Sequence, residues 1–224
     1  SILVLGSSVA LGRSALPGKS WVTHLSEAVS PLGYDIDNRA VGGTHVRAWG
    51  RILKGRKEAQ DLTAFSVIIL SLSLANEGLV RCATHEQQQA KAKLFKQGVR
   101  MLVAGLRARA SPGVRIVLGG PYANSSYTAA HYEVLQQTMK ELRTWKDVDY
   151  VIDFLQPCAH DGQGRWLPGQ AKDPGHPNAA GHAALYQCVD PALVLGVDPK
   201  LLSPRQPTTA RTLLEACRDK PTAE

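Results

Sequence analysis

The sequence predicts an α/β protein: a three-layer α/β/α sandwich with a doubly wound parallel sheet of about five strands. Short apolar segments alternate along the chain with longer segments whose apolar residues recur at helical spacing, and this alternation is typical of parallel strands joined by crossover helices. The strand candidates are nearly continuous runs of Val, Ile and Leu, as expected where both faces of a sheet are covered. The chemistry of such sheets is carried by loops at the carboxyl ends of the strands.

The strongest strand candidate is segment 66–74, which contains Val67, Ile68, Ile69 and Leu70 in succession. The other strands are expected at residues 2–5, 34–38, 114–118 and 150–154. Helical spacing of apolar residues predicts helices at Trp21–Val29 and at residues 46–53, 86–110, 128–145 and 178–189.

The first 196 residues are expected to form one domain, and residues 197–224 a C-terminal extension or linker. In that extension Pro204, Pro207 and Pro221 interrupt a polar stretch, and only residues 210–217 have a helical pattern. The sequence begins at Ser1, without a Met and directly inside an apolar strand. We therefore expect that an upstream segment was removed or left out, which leaves localisation open. The sequence also leaves the oligomeric state open.

The composition is that of an ordinary globular domain, with 44% hydrophobic and 20% charged residues in 224. No apolar run approaches the roughly 20 residues that span a bilayer. The net charge of +7 either favours anionic partners or serves solubility alone. The densest basic segment matches no nucleic-acid recognition motif, so no nucleic-acid partner is expected. It contains Arg47, Arg51, Lys54, Arg56 and Lys57.

The four cysteines are Cys82, Cys158, Cys188 and Cys217. None lies in a C-x-x-C pair or near a histidine at zinc spacing, so neither a metal nor another cofactor is expected. Four thiols are enough for two disulfides or for none, and the sequence leaves their state open.

A loop rich in glycine and serine follows the first strand, at residues 6–12. Gly6 and Gly12 permit a tight turn and a close approach of backbone to ligand, and Ser8 would point into the mouth of the sheet. The loop fits a catalytic nucleophile, a phosphate site or a simple turn. It lacks both the P-loop pattern and G-x-G-x-x-G.

Asp173 and His176 stand three residues apart in a loop of Pro and Gly. The carboxylate can bind one imidazole nitrogen and leave the other to accept a proton. Alternatively, Asp173 or Asn178 caps the last helix and His176 is merely exposed. The remaining histidines are expected to be structural or at the surface, among them His131, His160 and His182.

Two further loops at strand ends supply hydrogen-bond donors. Gly42 and Gly43 follow the second strand, and Asn76 follows the strongest strand. An Asn side-chain amide and a Gly backbone N–H at strand ends can together form an oxyanion hole. Alternatively, Asn76 is a turn or cap residue, which is a common role of Asn after a strand.

In order and spacing, these four loops resemble the blocks of the SGNH (GDSL-like) hydrolase superfamily over about residues 1 to 190. Ser8 matches the nucleophile of the G-D-S-x-x-x-G block, and Asn76 resembles the asparagine of G-x-N-D. Gly43 resembles the glycine block, with Gly42 as a one-residue alternative. The fourth block, D-x-x-H, is matched by Asp173 and His176.

The resemblance implies a flavodoxin-like catalytic domain and a serine esterase. Ser8 would attack an ester carbonyl, His176 would act as base, and Asp173 would orient His176. The oxyanion would be held by the N–H groups of Ser8 and Gly43 and by the Asn76 side chain. Two departures leave this set intact but leave the subfamily open. They are Ser7 in place of Asp in the first block, and Leu74 and Glu77 in place of Gly and Asp in the third.

We predict short acyl groups, such as O-acetyl, on a small-molecule or carbohydrate alcohol that is polar and anionic. The loops at the strand ends are short and polar, and no long apolar insertion could form a lid. Arg47, four residues after Gly43, would pair with a carboxylate or sulfate, and Tyr122 and Tyr127 would line the pocket. Acyl transfer to another alcohol would use the same residues. A non-catalytic phosphate- or mononucleotide-binding module is the other alternative, and it leaves Asp173 and His176 unexplained.

Overall fold

The computed structural model describes residues 1–55 and 62–202. Its main sheet has five parallel strands in the order β2-β1-β3-β4-β5. This confirms the expected fold class. The strands are β1 (Ile2–Gly6), β2 (Ile36–Asn38), β3 (Val67–Ser71), β4 (Arg115–Gly119) and β5 (Tyr150–Ile152).

Helices cover both faces of the sheet. The order of the strands reverses between β1 and β3, and ligands of open parallel sheets bind beyond the carboxyl ends of the strands at such a switch point. The loops after β1 and β3 therefore meet at the expected site. The helices are α1 (Ser8–Leu11), α2 (Trp21–Val29), α3 (Val46–Gly55), α4 (His85–Arg107), α5 (Ala129–Leu142), α6 (Ala179–Gln187) and α7 (Pro191–Leu195).

The two faces of the sheet carry separate hydrophobic cores, because successive strand residues point to opposite sides. In β1, Leu3 and Leu5 belong to the core beneath α3, α4 and α5. Ile2 and Val4 belong to the core beneath α1, α2, α6 and α7. All four side chains are buried, which accounts for the continuous apolar run.

The structure adds a two-stranded antiparallel hairpin that the sequence analysis missed, formed by β6 (Ala171–Asp173) and β7 (His176–Pro177). Asn178 follows it and caps α6, since its side-chain oxygen accepts the N–H of Gly181 at 3.1 Å. The hairpin therefore holds Asp173 and His176 directly before a helix start.

Several expectations lie outside the described residues: Arg56 and Lys57 of the basic segment, the helical pattern at 210–217, and Cys217. The division at residue 196 stays a prediction. Within residues 1–55 and 62–202, no helix combines the length and the apolar character needed to cross a bilayer.

Candidate active site

The loop that carries Ser8 begins where β1 comes unusually close to β3. A Cβ added at Gly6 would lie 2.4 Å from the carbonyl oxygen of Ser71, so only glycine fits this position. The Ser7 N–H then donates to the same oxygen at 3.1 Å, and α1 starts at Ser8. As the first residue of a helix, Ser8 has a backbone N–H without an intrahelical acceptor, and this N–H is free to face an oxyanion.

The two adjacent serines make different contacts. The Ser7 side chain is fully buried and forms a hydrogen bond with the Tyr122 hydroxyl at 3.3 Å. The Ser8 hydroxyl lies 2.9 Å from Nε2 of His176. Of the two hydroxyls, only that of Ser8 is hydrogen bonded to an imidazole.

His176 links Ser8 to Asp173. Nδ1 of His176 lies 2.8 Å and 2.9 Å from the two carboxylate oxygens of Asp173. With Nδ1–H donated to this carboxylate, Nε2 is the nitrogen that can accept the Ser8 proton. The arrangement can therefore support nucleophilic attack by Ser8 with His176 as general base.

The Asp173 carboxyl is held in its ionised form. Burial raises its pKa, but the hydrogen bonds from His176 and from the Gly175 N–H outweigh burial, and the pKa lies below its ordinary value. A carboxylate that stays charged at neutral pH can stabilise the imidazolium that forms when His176 accepts a proton.

The hairpin that carries these residues is fixed from two sides. The Pro174 carbonyl oxygen accepts the Ser125 N–H at 2.9 Å and the Trp166 indole N–H at 3.3 Å. Asn124, which precedes Ser125, donates its own backbone N–H to the Gly164 carbonyl at 2.9 Å. The loop after β4 and Trp166 thus hold the backbone two residues before His176.

Asn76 joins the loops that follow three neighbouring strands. Its side-chain N–H donates to the Thr44 carbonyl at 2.9 Å, and the Thr44 hydroxyl lies 2.7 Å from the Val41 carbonyl and 3.0 Å from the Gly6 carbonyl. A side-chain amide carries two N–H bonds, so one remains after the bond to Thr44. This contact fixes the orientation of the Asn76 amide, and its role as an oxyanion donor stays a prediction.

The paired glycines differ in their surroundings. A Cβ at Gly42 would lie 3.9 Å from the Cβ of Ser8, whereas a Cβ at Gly43 would meet no atom within 4 Å. Gly43 has a φ of +74°, a conformation that glycine adopts readily, and it lines a cleft together with Asn76. Both N–H groups therefore belong to the loop beside Ser8, and the choice of Gly43 as donor stays a prediction.

Glu77, which departs from the family pattern, caps a helix. Its carboxylate accepts the N–H of Val46, the first residue of α3, at 2.8 Å. Carboxylates are favoured at helix N-termini because the first N–H groups lack partners and the helix dipole is positive there. Glu77 thereby ties the Asn76 loop to α3, and its greater length than Asp suits this reach.

The three residues expected to bind substrate are not brought together. Tyr122 and Tyr127 are 5% and 3% exposed and belong to the two hydrophobic cores, and burial raises the pKa of both phenols. They are instead part of the packing beneath the site. Arg47 is exposed in the first turn of α3.

A cleft of about 920 Å³ runs beside the loops that carry Gly43 and Asn76, the two candidate oxyanion loops, and was not foreseen from the sequence. Gly43, Asn76 and Asn124 line it together with two cations, Arg81 and Lys91. Asn124 belongs to the polar loop whose tyrosines were expected to line the pocket. No sequence pattern pointed to the two cations, since Arg81 lies in a 3₁₀ turn and Lys91 in an amphipathic helix.

We expect Asn76→Ala to lower kcat by about 10²- to 10³-fold with little change in KM, because one oxyanion donor acts mainly in the transition state. Steady-state kinetics on a short-chain ester measure both parameters, and thermal unfolding checks the fold. A large rise in KM with kcat intact would assign Asn76 to substrate binding instead.

Comparison with known proteins shows the family to which the chain belongs. The family model described as the GDSL-like Lipase/Acylhydrolase family matches residues 4–184. The structure resembles that of TesA, at 19% identity and a TM-score of 0.59 over 86% of this chain and 97% of that one. It also resembles the lipase Lip_vut3 from goat rumen metagenome, at 12% identity and a TM-score of 0.65, over 84% and 94% of the two chains.

A third similar structure is a catalytic mutant of Axe2, an acetylxylan esterase from Geobacillus stearothermophilus. It is 16% identical with a TM-score of 0.58, over 88% of this chain and 94% of that one. At these identities the similarity concerns the fold. No curated protein matches the chain.

The parallel sheet with flanking helices is the fold that the chain shares with these neighbours, and the family model defines the class as that of a hydrolase. More specifically, the chain belongs to the GDSL-like lipase/acylhydrolase family, whose model covers most of its length. This confirms the family resemblance seen in the sequence.

Proposed function

We propose that the chain is a serine ester hydrolase that cleaves short acyl esters, O-acetyl among them, through an acyl-enzyme. The observation that carries this proposal is the line of hydrogen bonds from Ser8 through His176 to Asp173, with distances of 2.9 Å and 2.8 Å. A nucleophile, a base and a residue that orients the base are the parts that acyl transfer to serine requires.

The reaction follows from these contacts. The Ser8 hydroxyl attacks the ester carbonyl while Nε2 of His176 takes its proton, and the Asp173 carboxylate stabilises the resulting imidazolium. The tetrahedral oxyanion accepts hydrogen bonds from the N–H groups of Ser8 and Gly43 and from the Asn76 amide. His176 then gives its proton to the leaving alcohol, and a water molecule hydrolyses the acyl-enzyme by the same route.

The cleft supports a short acyl group on a polar alcohol. Its lining includes polar and charged side chains near Asn76, among them Glu77, Gln87 and Lys91, and such a surface suits a hydrated sugar better than a long alkyl chain. The fold similarity to an acetylxylan esterase adds O-acetylated polysaccharides to the substrates worth testing first.

A hydrolysis screen tests the proposal. p-Nitrophenyl esters of increasing acyl length are compared with acetylated polysaccharides, from which released acetate is measured. We expect the acetate and other short esters to react fastest and acetate to be released from at least one polysaccharide. Faster cleavage of long-chain esters would contradict the short-acyl assignment, and no hydrolysis of any ester would contradict the esterase itself.

A further inference from the structure

We propose that the cleft beside the oxyanion loops binds an anionic group of the substrate, a carboxylate or sulfate, through Lys91 and Arg81. This inference rests on the proposed esterase function and names a specificity-determining subsite for it. Gly43 and Asn76 line the same cleft as the two cations. A substrate held at the oxyanion donors would therefore have the cations beside its remaining part.

Lys91 lies close to the Asn76 loop. A Cβ added at Gly78, two residues after Asn76, would lie 4.0 Å from both Cε and Nζ of Lys91. The Lys91 side chain thus lies over the Gly78 backbone, and the absence of a side chain at Gly78 leaves room for it. Lys91 is half-buried, and Arg81 is exposed at the same cleft.

Neither cation is neutralised by an acid in the described part of the chain. The ion pairs of residues 1–55 and 62–202 include neither Arg81 nor Lys91. Two other cations of α4 are engaged: Lys96 pairs with Glu141, and the Arg100 guanidinium lies 4.3 Å from the centre of the Trp145 ring.

The carboxylate that does line the cleft is already engaged. Glu77 accepts the Val46 N–H at 2.8 Å and forms no ion pair with Lys91. Glu77 keeps its negative charge, so an anionic ligand would meet two cations, Arg81 and Lys91, against one carboxylate that faces the start of α3. A guanidinium can bind a carboxylate or sulfate with two parallel hydrogen bonds, and an ammonium adds a point charge beside it.

The anion can lie on either side of the ester bond, and matched substrates distinguish the two. Monomethyl glutarate against methyl pentanoate places the charge on the acyl group. An O-acetylated galacturonate glycoside against its neutral methyl ester places the charge on the alcohol. We expect one of these pairs to show a ratio of kcat/KM, anionic over neutral, of about ten at low salt, and this ratio to shrink as salt screens the charges.

Lys91→Met keeps an unbranched side chain, one atom shorter, and removes its charge. It should reduce this ratio about tenfold, with Arg81→Gln acting in the same direction. Lys93→Met, at an exposed position of the same helix, is the matched control and should leave the ratio unchanged. Loss of the ratio in Arg47→Ala and not in Lys91→Met would place the contact at Arg47 and overturn the inference.

The experiment distinguishes a failure of the proposed subsite from a failure of the proposed esterase function. If neutral esters are hydrolysed but neither anionic partner is favoured, the subsite is wrong and the esterase stands. If no ester is hydrolysed, the proposed function is wrong. The subsite is then tested by binding. The Kd of the acetylated galacturonate is measured for the Ser8→Ala variant and for the Ser8→Ala, Lys91→Met double variant, and it should be higher for the double variant. An unchanged Kd would overturn the subsite as well.

A second inference rests on a different observation, a pair of adjacent thiols. The Sγ atoms of Cys158 and Cys188 lie 3.5 Å apart, although the two residues are 30 positions apart in the chain. We infer that this pair forms a disulfide by exchange with a small-molecule disulfide such as oxidised glutathione. A bond of about 2.05 Å needs only a modest approach of the two sulfur atoms.

The two thiols differ in a way that suits exchange. The contact between the two sulfur atoms lowers the pKa of Cys158 and raises that of Cys188, and burial of Cys188 raises its pKa further. Cys158 is half-buried and Cys188 is buried. The Cys158 thiolate attacks glutathione disulfide and releases one glutathione. Cys188 then loses its proton and attacks the mixed disulfide, which releases the second glutathione, so two protein thiols are oxidised as one disulfide is reduced.

The bond would close a loop that contains Asp173 and His176. Closing a loop restricts the unfolded chain, so we expect oxidation to raise the Tm by several degrees. After incubation with oxidised glutathione, mass spectrometry of a digest should find the peptides of Cys158 and Cys188 linked by a disulfide. The linked pair should be two hydrogens lighter than the two free peptides together. Cys188→Ala should instead retain a glutathione adduct on Cys158. A stable adduct on Cys158 in the unchanged protein, or bonding of Cys158 to another cysteine, would overturn this inference.

Discussion

Replacement of Ser8 by alanine is expected to lower kcat/KM for a short ester by on the order of 10⁴-fold or more while leaving the fold intact. The Ser8 hydroxyl is the group that lies 2.9 Å from Nε2 of His176, and without it no acyl-enzyme can form. Initial rates with p-nitrophenyl acetate measure the loss, and thermal unfolding shows whether the variant keeps its stability.

Ser7→Ala is the matched control, because it removes a hydroxyl from the neighbouring position. Ser7 is buried against Tyr122, so its loss should reduce the free energy of unfolding by about 1 kcal/mol, as for one buried hydrogen bond. Most of the hydrolytic rate should remain. The reverse pattern, with Ser7→Ala inactive and Ser8→Ala active, would contradict the choice of nucleophile.

His176→Asn is expected to remove nearly all of the rate, and Asp173→Asn to lower it by on the order of 10⁴-fold. In the unchanged protein, turnover should rise with pH through a single ionisation, since the imidazole must be neutral to accept the Ser8 proton. The pKa of Asp173 is lowered by its hydrogen bonds from His176 and Gly175, which outweigh the effect of burial. Its carboxylate is therefore charged above that lowered pKa, and protonation of Asp173 would reduce turnover only at acid pH, below the ordinary range of a carboxyl group.

A pH profile of kcat from acid to neutral pH checks this assignment, with His85→Asn as a control for the loss of an exposed histidine. The control should keep both the rate and the profile. Turnover that is flat from acid to neutral pH and unaffected by His176→Asn would mean that another group is the base.

The order of strands and helices could be predicted from the sequence, because strands that are buried on both faces of the sheet consist of continuous apolar residues. The ends of the strands and helices were harder to predict. Residues 72–74 continue the apolar run of β3, and Leu72 and Leu74 are 1% and 2% exposed, yet β3 ends at Ser71. An apolar pattern reports burial, whereas a strand also needs a hydrogen-bonded neighbour.

The sequence also predicted that Ser8, Asp173 and His176 would lie together, since each belongs to a short motif in a loop. The contacts of the other loops could not be predicted. That Asn76 binds Thr44, and that Glu77 caps α3, depends on how loops distant in sequence meet. Lys91 lies in a helix whose pattern is that of any amphipathic surface helix, and only the folded chain brings it over Gly78.

The position of Tyr122 also could not be predicted from the sequence. A tyrosine in a polar loop after a strand is as well suited to a pocket as to a core, and the sequence does not distinguish them. The structure places it against Phe154 and Trp166, with ring centres 6.4 Å and 6.2 Å away. Its hydroxyl lies 3.3 Å from the Ser7 hydroxyl, so Tyr122 packs beneath the loop that carries Ser8.

The most direct test of the central claim, that Ser8 is an activated nucleophile, is covalent labelling by a fluorophosphonate ester. Mass spectrometry of the peptide that spans residues 6–12 should find one label, with fragment ions that place it on Ser8 rather than Ser7. Labelling should be lost in Ser8→Ala, kept in Ser7→Ala, and greatly slowed in His176→Asn, because the base is needed to activate the hydroxyl. A properly folded protein that takes no label, or takes it on another residue, would contradict the account.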